Sequence, residues 1–265
     1  MKNIIVITFC LLINQSVFCQ IKEDRQKKKQ QQKEHFNQLI KQEEEGAIIY
    51  HKQSVFAIKL NSDGYGVFYE VGKQKTIWKA SVYQFELGER KHPKEERIAP
   101  EIGINPYIYG KVNNFYYLKA GYLQNQLIGG KGNKNGVAVS ALYGGGITLG
   151  LIKPYYIKIK DPQDPQSSNL IDIKYNNNDS IFLDPNSIRG ASGFTMGFGE
   201  VKIKPGAFAK AALRFDYGRY NEVVSALEVG VNVEMYGSKI SQMLLNKDKQ
   251  LFFNVYAAIA FGKRK

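Results

Sequence analysis

Two neighbouring stretches limit what this chain can become. Residues 251–261 read Leu-Phe-Phe-Asn-Val-Tyr-Ala-Ala-Ile-Ala-Phe. Taken at a period of two, Leu251, Phe253, Val255, Ala257, Ile259 and Phe261 form one wholly apolar face, while Asn254, Tyr256, Ala258 and Ala260 form a small or polar one. The segment before it repeats the pattern, with Val223, Leu227, Val229, Val231, Val233 and Met235 on one side and Glu228, Asn232 and Glu234 on the other. A two-faced strand of this kind serves a soluble sandwich with the apolar face as core. It serves equally a barrel in a membrane, with that face toward lipid and the mixed face lining the interior.

Helical passage through a bilayer needs roughly 18 to 20 consecutive apolar residues, and only the first twenty positions come near that. Any membrane residence therefore rests on strands. Residues 1–19 carry Lys2, an apolar centre from Ile4 to Ile13, a polar break at 14–16 and small residues at Val17 and Cys19, the layout of a cleaved secretory signal with a mature start near Gln20. Both cysteines, Cys10 and Cys19, fall within it, so the rest of the chain has no thiol for a disulfide, a metal or a nucleophile.

The formal net charge is +13. Its basic residues are spread among acidic ones and do not cluster between stacking aromatics, which argues against a nucleic-acid partner. Anionic headgroups of outer-membrane lipid at the strand ends account for the charge better.

Residues 20–45 are rich in Lys, Gln and Glu and carry only Ile21, Phe36, Leu39 and Ile40 as large apolar groups. They form a solvated helix or a disordered charged arm, too poor in apolar groups to build a core. From Gly46 onward, β-branched and aromatic residues alternate between turn signals, and strands are expected at about 54–71, 76–90, 101–110, 115–126, 136–152, 199–216, 222–236 and 251–261. Asn61-Ser62-Asp63-Gly64 is a hairpin signal inside the first of these, and honouring it gives nine strands. Even strand parity, which keeps both ends of a bacterial barrel in the periplasm, favours a bulge there instead. Ten strands remain an open alternative to eight.

On that count the connections 72–75, 111–114, 153–198 and 237–250 lie outside, and 91–100, 127–135 and 217–221 inside. The longest loop is then extracellular. Tyr107, Tyr109, Phe115, Tyr116, Tyr117, Tyr155 and Tyr156 fall near strand ends, where an aromatic girdle sits. The interior receives Lys119, Lys210, Arg214, Asp216, Glu228, Asn232 and Glu234, and pairing about residues 217–221 sets Lys210 opposite Glu228. Lys210, Arg214, Asp216, Glu228 and Glu234 are the expected interior charge network, a plug more than a pore. Small residues at Ala138, Ser140, Gly144, Gly145, Gly146, Thr148 and Gly150 mark tight curvature, or a groove receiving lipid or a partner.

Catalytic signals are missing from the pattern. His35, His51 and His92 stand apart from any Ser on an outer strand end, Gly190-Ala191-Ser192-Gly193 lacks the spacing of a nucleophile elbow, and residues 129–136 lack the Lys-Ser/Thr of a phosphate loop. Asp161, Asp164, Asp172, Asp179 and Asp184 punctuate the long loop with a spacing that fits no calcium loop. No metal, cofactor or enzymatic activity is expected.

Several segments, taken in order, resemble uncharacterised outer-membrane β-barrel proteins of Bacteroidota: Lys91-His92-Pro93-Lys94-Glu95, residues 106–111 with Asn113-Asn114-Phe115, Lys153-Pro154-Tyr155-Tyr156, and Lys204-Pro205-Gly206 with Phe215-Asp216-Tyr217-Gly218. The resemblance spans about 54–261 and implies no catalytic residue. It also implies O-glycosylation at Ser180, where Asp179-Ser180-Ile181 is similar to that phylum's Asp-Ser/Thr-apolar motif. Such barrels commonly end on the aromatic of the last strand, whereas here Gly262 and three further residues follow Phe261.

The expectation is an all-β protein: a signal at 1–19, a charged periplasmic arm at 20–45, and an eight-stranded antiparallel transmembrane barrel at 46–265. Its expected role is that of a structural or accessory subunit of larger outer-membrane machinery for barrel assembly, secretion or uptake, meeting other outer-membrane or periplasmic proteins. A small channel or transporter is the alternative from a second class, and a lipid-modifying enzyme a third.

Overall fold

The computed structural model describes residues 29–30, 50–99, 105–132, 136–161, 169–176, 182–218, 222–244 and 246–265. The chain divides into two units, 1–48 and 49–265. In the first, only Lys29 and Gln30 are described, and they are helical. The expected signal at 1–19, nearly all of the arm at 20–45, and Ser180 lie outside the described residues.

In the second unit the strands run in chain order as β1 (Lys52–Asn61), β2 (Gly64–Thr76), β3 (Lys79–Arg90), the short β4 (Arg97–Ile98) and β5 (Tyr107–Ile108), β6 (Asn113–Gly129), β7 (Ala138–Pro154), β8 (Tyr156–Lys160), β9 (Leu170–Lys174), β10 (Ile188–Ala191), β11 (Lys202–Asp216), β12 (Val223–Ile240) and β13 (Lys249–Arg264). Eight of them close into a barrel in the order β1-β13-β12-β11-β7-β6-β3-β2. Every neighbouring pair is antiparallel, including the closing pair of β1 with β13. Closure leaves no edge, so each strand's backbone finds its partners within the wall.

Alternation decides which side chains face where. Lys59 is 0% exposed, while its neighbours Ile58 and Leu60 are 55% and 66% exposed. The same inversion recurs around the wall: Phe85, Leu118, Ile147, Val231, Phe253 and Val255 are exposed, and Glu70, Glu86, Lys119, Lys210 and Glu228 are buried. Water would penalise such an exterior. An apolar exterior around a polar interior is the arrangement of a transmembrane barrel.

The strand count of eight is observed, although two of its parts differ from expectation. Asn61 pairs with Gly64 across a two-residue loop, so Asn61-Ser62-Asp63-Gly64 is a hairpin between β1 and β2, not a bulge. Gly64 is required there: its φ is +154°, and a Cβ on it would lie 2.0 Å from the Glu89 carbonyl oxygen. The expected barrel strand at 101–110 is not among the eight: of its described residues, Tyr107 and Ile108 form β5, which pairs with β4 outside the barrel. One strand gained and one lost keep the parity even.

These changes move two connections to the opposite end. The loop at 91–112 joins those at 62–63, 155–201 and 241–248 at what we term the loop end, while the turn at 77–78 joins 130–137, 217–222 and both ends of the barrel chain at the terminal end. The long connection expected inside, 91–100, therefore sits with the other long loops. Residues 72–75, expected as an outer turn, belong to β2.

The residues after Phe261 are not an appendage. Lys263 and Arg264 pair with Ser54 and Gln53, and Lys265 exchanges backbone hydrogen bonds with Lys52 at 2.8 Å in each direction.

Two apolar clusters share the lumen with the charges. One, including Val55, Phe68, Leu142 and Ala226, lies in the terminal-end half, and the other, Phe115, Ile152, Tyr236, Ile240 and Phe252, lies near the loop end. Glycines make room for these rings: a Cβ on Gly88 would come within 2.4 Å of the Tyr117 hydroxyl, which lies over it. Beyond the barrel, β10-β8-β9 form a three-stranded sheet with a core of its own at Tyr107, Ile157, Ile159, Phe182 and Ile188. Much of the long connection is thus folded structure.

Candidate functional site

The lumen is built from the inward phase of each strand. Charged residues stand there singly between outward apolar neighbours, so the register of the wall sets which of them meet. Lys210 faces Asn232 and Arg214 faces Glu228 across β11 and β12. The expected facing of Lys210 with Glu228 is corrected, because the register of this hairpin is centred two residues later.

Glu228 still collects both cations. Its carboxylate accepts from Arg214 Nε at 2.9 Å, from Lys210 Nζ at 2.8 Å and from the Tyr256 hydroxyl at 2.6 Å. Arg214 also donates across the barrel to Glu70 at 2.7 Å, and Lys210 to Gln84 at 3.2 Å. Toward the loop end, Glu86 accepts from Lys59 at 2.8 Å and Lys119 at 3.2 Å. Glu234 accepts from Lys119 at 2.5 Å, from the Tyr236 hydroxyl at 2.9 Å and from Arg90, which also binds Asp63.

Of the expected network, Lys210, Arg214 and Glu228 meet directly, and Glu234 belongs to the adjoining cluster. Asp216 stands apart at the terminal-end mouth, bound to Arg264 and 3.6 Å from Lys131. Sequence reasoning missed Lys59, Glu70, Glu86 and Arg90. A signal existed, since Lys59, Glu70 and Glu86 each interrupt an apolar alternation as a lone charge.

This arrangement has a definite electrostatic character. Lys59, Arg90, Lys119, Lys210 and Arg214 are matched in number by Asp63, Glu70, Glu86, Glu228 and Glu234. Pairing at hydrogen-bond distance offsets a desolvation cost that would otherwise amount to several kcal/mol per ion. These ten charges balance, and they form no row of one sign of the kind that draws an ion through.

A second feature lies outside the lumen. At the loop end, a cavity of about 410 Å³ opens on the outward flank of β2, β3, β6 and β7, roofed by the connections at 91–112 and 155–201. Tyr65, Glu89 and Tyr116 are its floor, and they are register neighbours on successive strands. Lys91, Arg97, Lys111 and Lys153 bring positive charge to it. Lys111 binds Glu95 at 2.9 Å, the Tyr65 hydroxyl donates to Glu89 at 2.5 Å, and Lys153 donates to the Phe194 carbonyl at 2.5 Å.

The expected girdle divides along the same phase rule. Tyr116 faces outward, whereas Phe115 and Tyr117 share the phase of Lys119 and fill the lumen, and Tyr107 lies in the core of the loop sheet. Tyr155 and Tyr109 pack against that core, the Tyr155 hydroxyl accepting from the Ile108 amide at 3.0 Å.

Among the described residues, no group of three or more His, Cys, Asp and Glu is placed to hold a metal. Of the loop aspartates, Asp184 caps its own turn by accepting from Ser187 at 2.6 Å and the Asn186 amide at 3.0 Å, and Asp172 accepts from Ser192 at 2.6 Å.

No family model matches this sequence, and no curated protein sequence does. Among solved structures, the chain is similar to Ail, the attachment invasion locus protein of Yersinia pestis, at 11% identity and a TM-score of 0.35, covering 82% of this chain and 100% of that one. It is similar to Neisserial surface protein A at 9% identity and a TM-score of 0.39, covering 81% of this chain and 96% of that one. The barrel described here rests on this chain's own closed ladder of strands.

Proposed function

We propose that this chain is a non-enzymatic barrel of the bacterial outer membrane, acting through its surfaces as a structural or accessory subunit beside larger machinery for assembly, secretion or uptake. The observation that supports this reading is the lumen, lined by paired charges and two apolar clusters in a barrel of eight strands, a number whose interior is just wide enough for side chains to fill. A protein closed along its axis has the wall, the loop-end sheet and the segment at 20–45 left to work with. Segment order resembling outer-membrane barrels of Bacteroidota supports placing it in that phylum's envelope, with Ser180 as a glycosylation site.

Affinity purification from native outer membrane tests the reading. The expected result is a stoichiometric partner that is lost when 20–45 or the loop at 155–201 is deleted while the barrel remains folded. Recovery of the barrel alone, from intact chain and deletions alike, overturns the accessory role.

A further inference from the structure

The cavity on the outer flank sits where two chemical environments meet. Its floor is the outward row Tyr65, Glu89 and Tyr116. One step toward the terminal end in the same outward phase, Val67, Leu87 and Leu118 pair in register as a second row, and all three are exposed. Polar cavity and apolar row therefore share three adjacent strands. A ligand filling both must itself be amphipathic.

Charge narrows the class. Of the two acids in the cavity, Glu95 is paired with Lys111, while Glu89 accepts from the Tyr65 hydroxyl and keeps its charge against Lys91, Arg97 and Lys153. Lys91, Arg97 and Lys153 have no carboxylate within 4.0 Å among the described residues. Lys153 is 3% exposed, its ammonium held between the Phe194 and Phe198 rings at 4.4 Å from each centroid and anchored by the Phe194 carbonyl. A wall lysine fixed this way at the edge of the cavity is a preformed cation. The flank has an excess of positive charge where an apolar wall ends, the place of headgroups in a bilayer.

We propose that this cavity holds the anionic phosphate headgroup of a membrane lipid, with an acyl chain lying along Val67, Leu87 and Leu118. Lys91 and Arg97 receive the phosphate, Lys153 adds its charge from the cavity edge, and Tyr65 and Tyr116 flank the site. The site rests on the membrane reading of the wall but not on the accessory role.

The test uses full-length protein in zwitterionic detergent, with short-chain phosphatidic acid as probe and native mass spectrometry counting retained lipid. Phosphatidic acid is expected to bind more tightly than both phosphatidylcholine and the soluble ester glycerol 3-phosphate. Lys91→Gln with Arg97→Gln should weaken it about 25-fold, at about fivefold per cation near a charged headgroup. The control pair Lys73→Gln with Lys79→Gln, at the terminal end, should leave binding unchanged, and Leu87→Asn should weaken phosphatidic acid but not glycerol 3-phosphate. Retained heat-modifiable mobility on electrophoresis shows that each variant is folded. Equal binding of glycerol 3-phosphate and phosphatidic acid would replace the lipid with a soluble phosphate ester. Equal losses from the two double variants, or no loss from Lys91→Gln with Arg97→Gln, would overturn the site and leave the separate question of partners untouched.

Discussion

Arg214 on β11 reaches Glu70 on β2, a strand on the far side of the barrel, with Nη2 2.7 Å from Oε2. The bond spans the lumen, and the same guanidinium holds Glu228 on the neighbouring β12. Removing one member of such a group leaves a buried charge unmatched, which costs about 3 to 5 kcal/mol. Arg214→Met should lose stability on that scale in urea titrations of the reconstituted barrel. Adding Glu70→Gln should recover part of the loss, because Lys210 and Glu228 then remain as a balanced pair.

The outward phase makes its own demand. Val231 faces away from the lumen on β12, and near the bilayer midplane an arginine there should cost about 2 to 4 kcal/mol, against about 0 to 1 for Val223→Arg at the terminal end of the same strand. Folding titrations into phospholipid vesicles measure both. Inward Asn232 is no mild comparison, since it is 1% exposed.

Even parity puts both ends of the barrel chain on one side of the membrane. With those ends periplasmic, Ser62→Cys and Lys247→Cys at the loop end should react with an impermeant maleimide on intact cells. Thr76→Cys and Glu222→Cys at the terminal end should stay unlabelled until the cells are opened.

The loop-end sheet should loosen in acid. Hydrogen bonds from Lys174 and then Tyr156 hold the Glu200 carboxyl below the usual carboxylate range. A depressed carboxyl contributes order that is fully present above the ordinary value of about 4 and is lost as pH falls through the lower folded value. Protection of the amides around residues 198–200, corrected for the intrinsic exchange rate, should therefore fall on acidification below pH ~4, and Glu200→Gln should show the lower protection at neutral pH.

The fold was legible because a period of two persists through long strands: β12 and β13 can be read off Val229 to Val233 and Phe253 to Ile259. Asn61-Ser62-Asp63-Gly64 announced its hairpin plainly, and it was displaced by a parity argument that counted a barrel strand at 101–110, together with the change of phase from Phe56, Ile58 and Leu60 to Tyr65, Val67 and Tyr69 that a bulge would also produce. Partners of the lumen charges were not legible. Arg214 meets Glu70 and Arg90 meets Glu234 through barrel closure, which brings together residues 144 positions apart in each case. The cavity at the loop end was hidden for a related reason, being assembled from Tyr65, Arg97, Lys153 and Phe194 on separate segments. Its one local hint, Lys153-Pro154-Tyr155-Tyr156, gave the residues without their neighbours.

On the reading proposed above, the paired charges seal the barrel along its axis. Single-molecule recording in planar bilayers tests it directly, with purified full-length protein inserted at a density confirmed by fluorescence. A sealed barrel gives no conductance steps above the bare bilayer for the intact chain. Discrete, reproducible steps from the intact chain would contradict it and make the protein a channel.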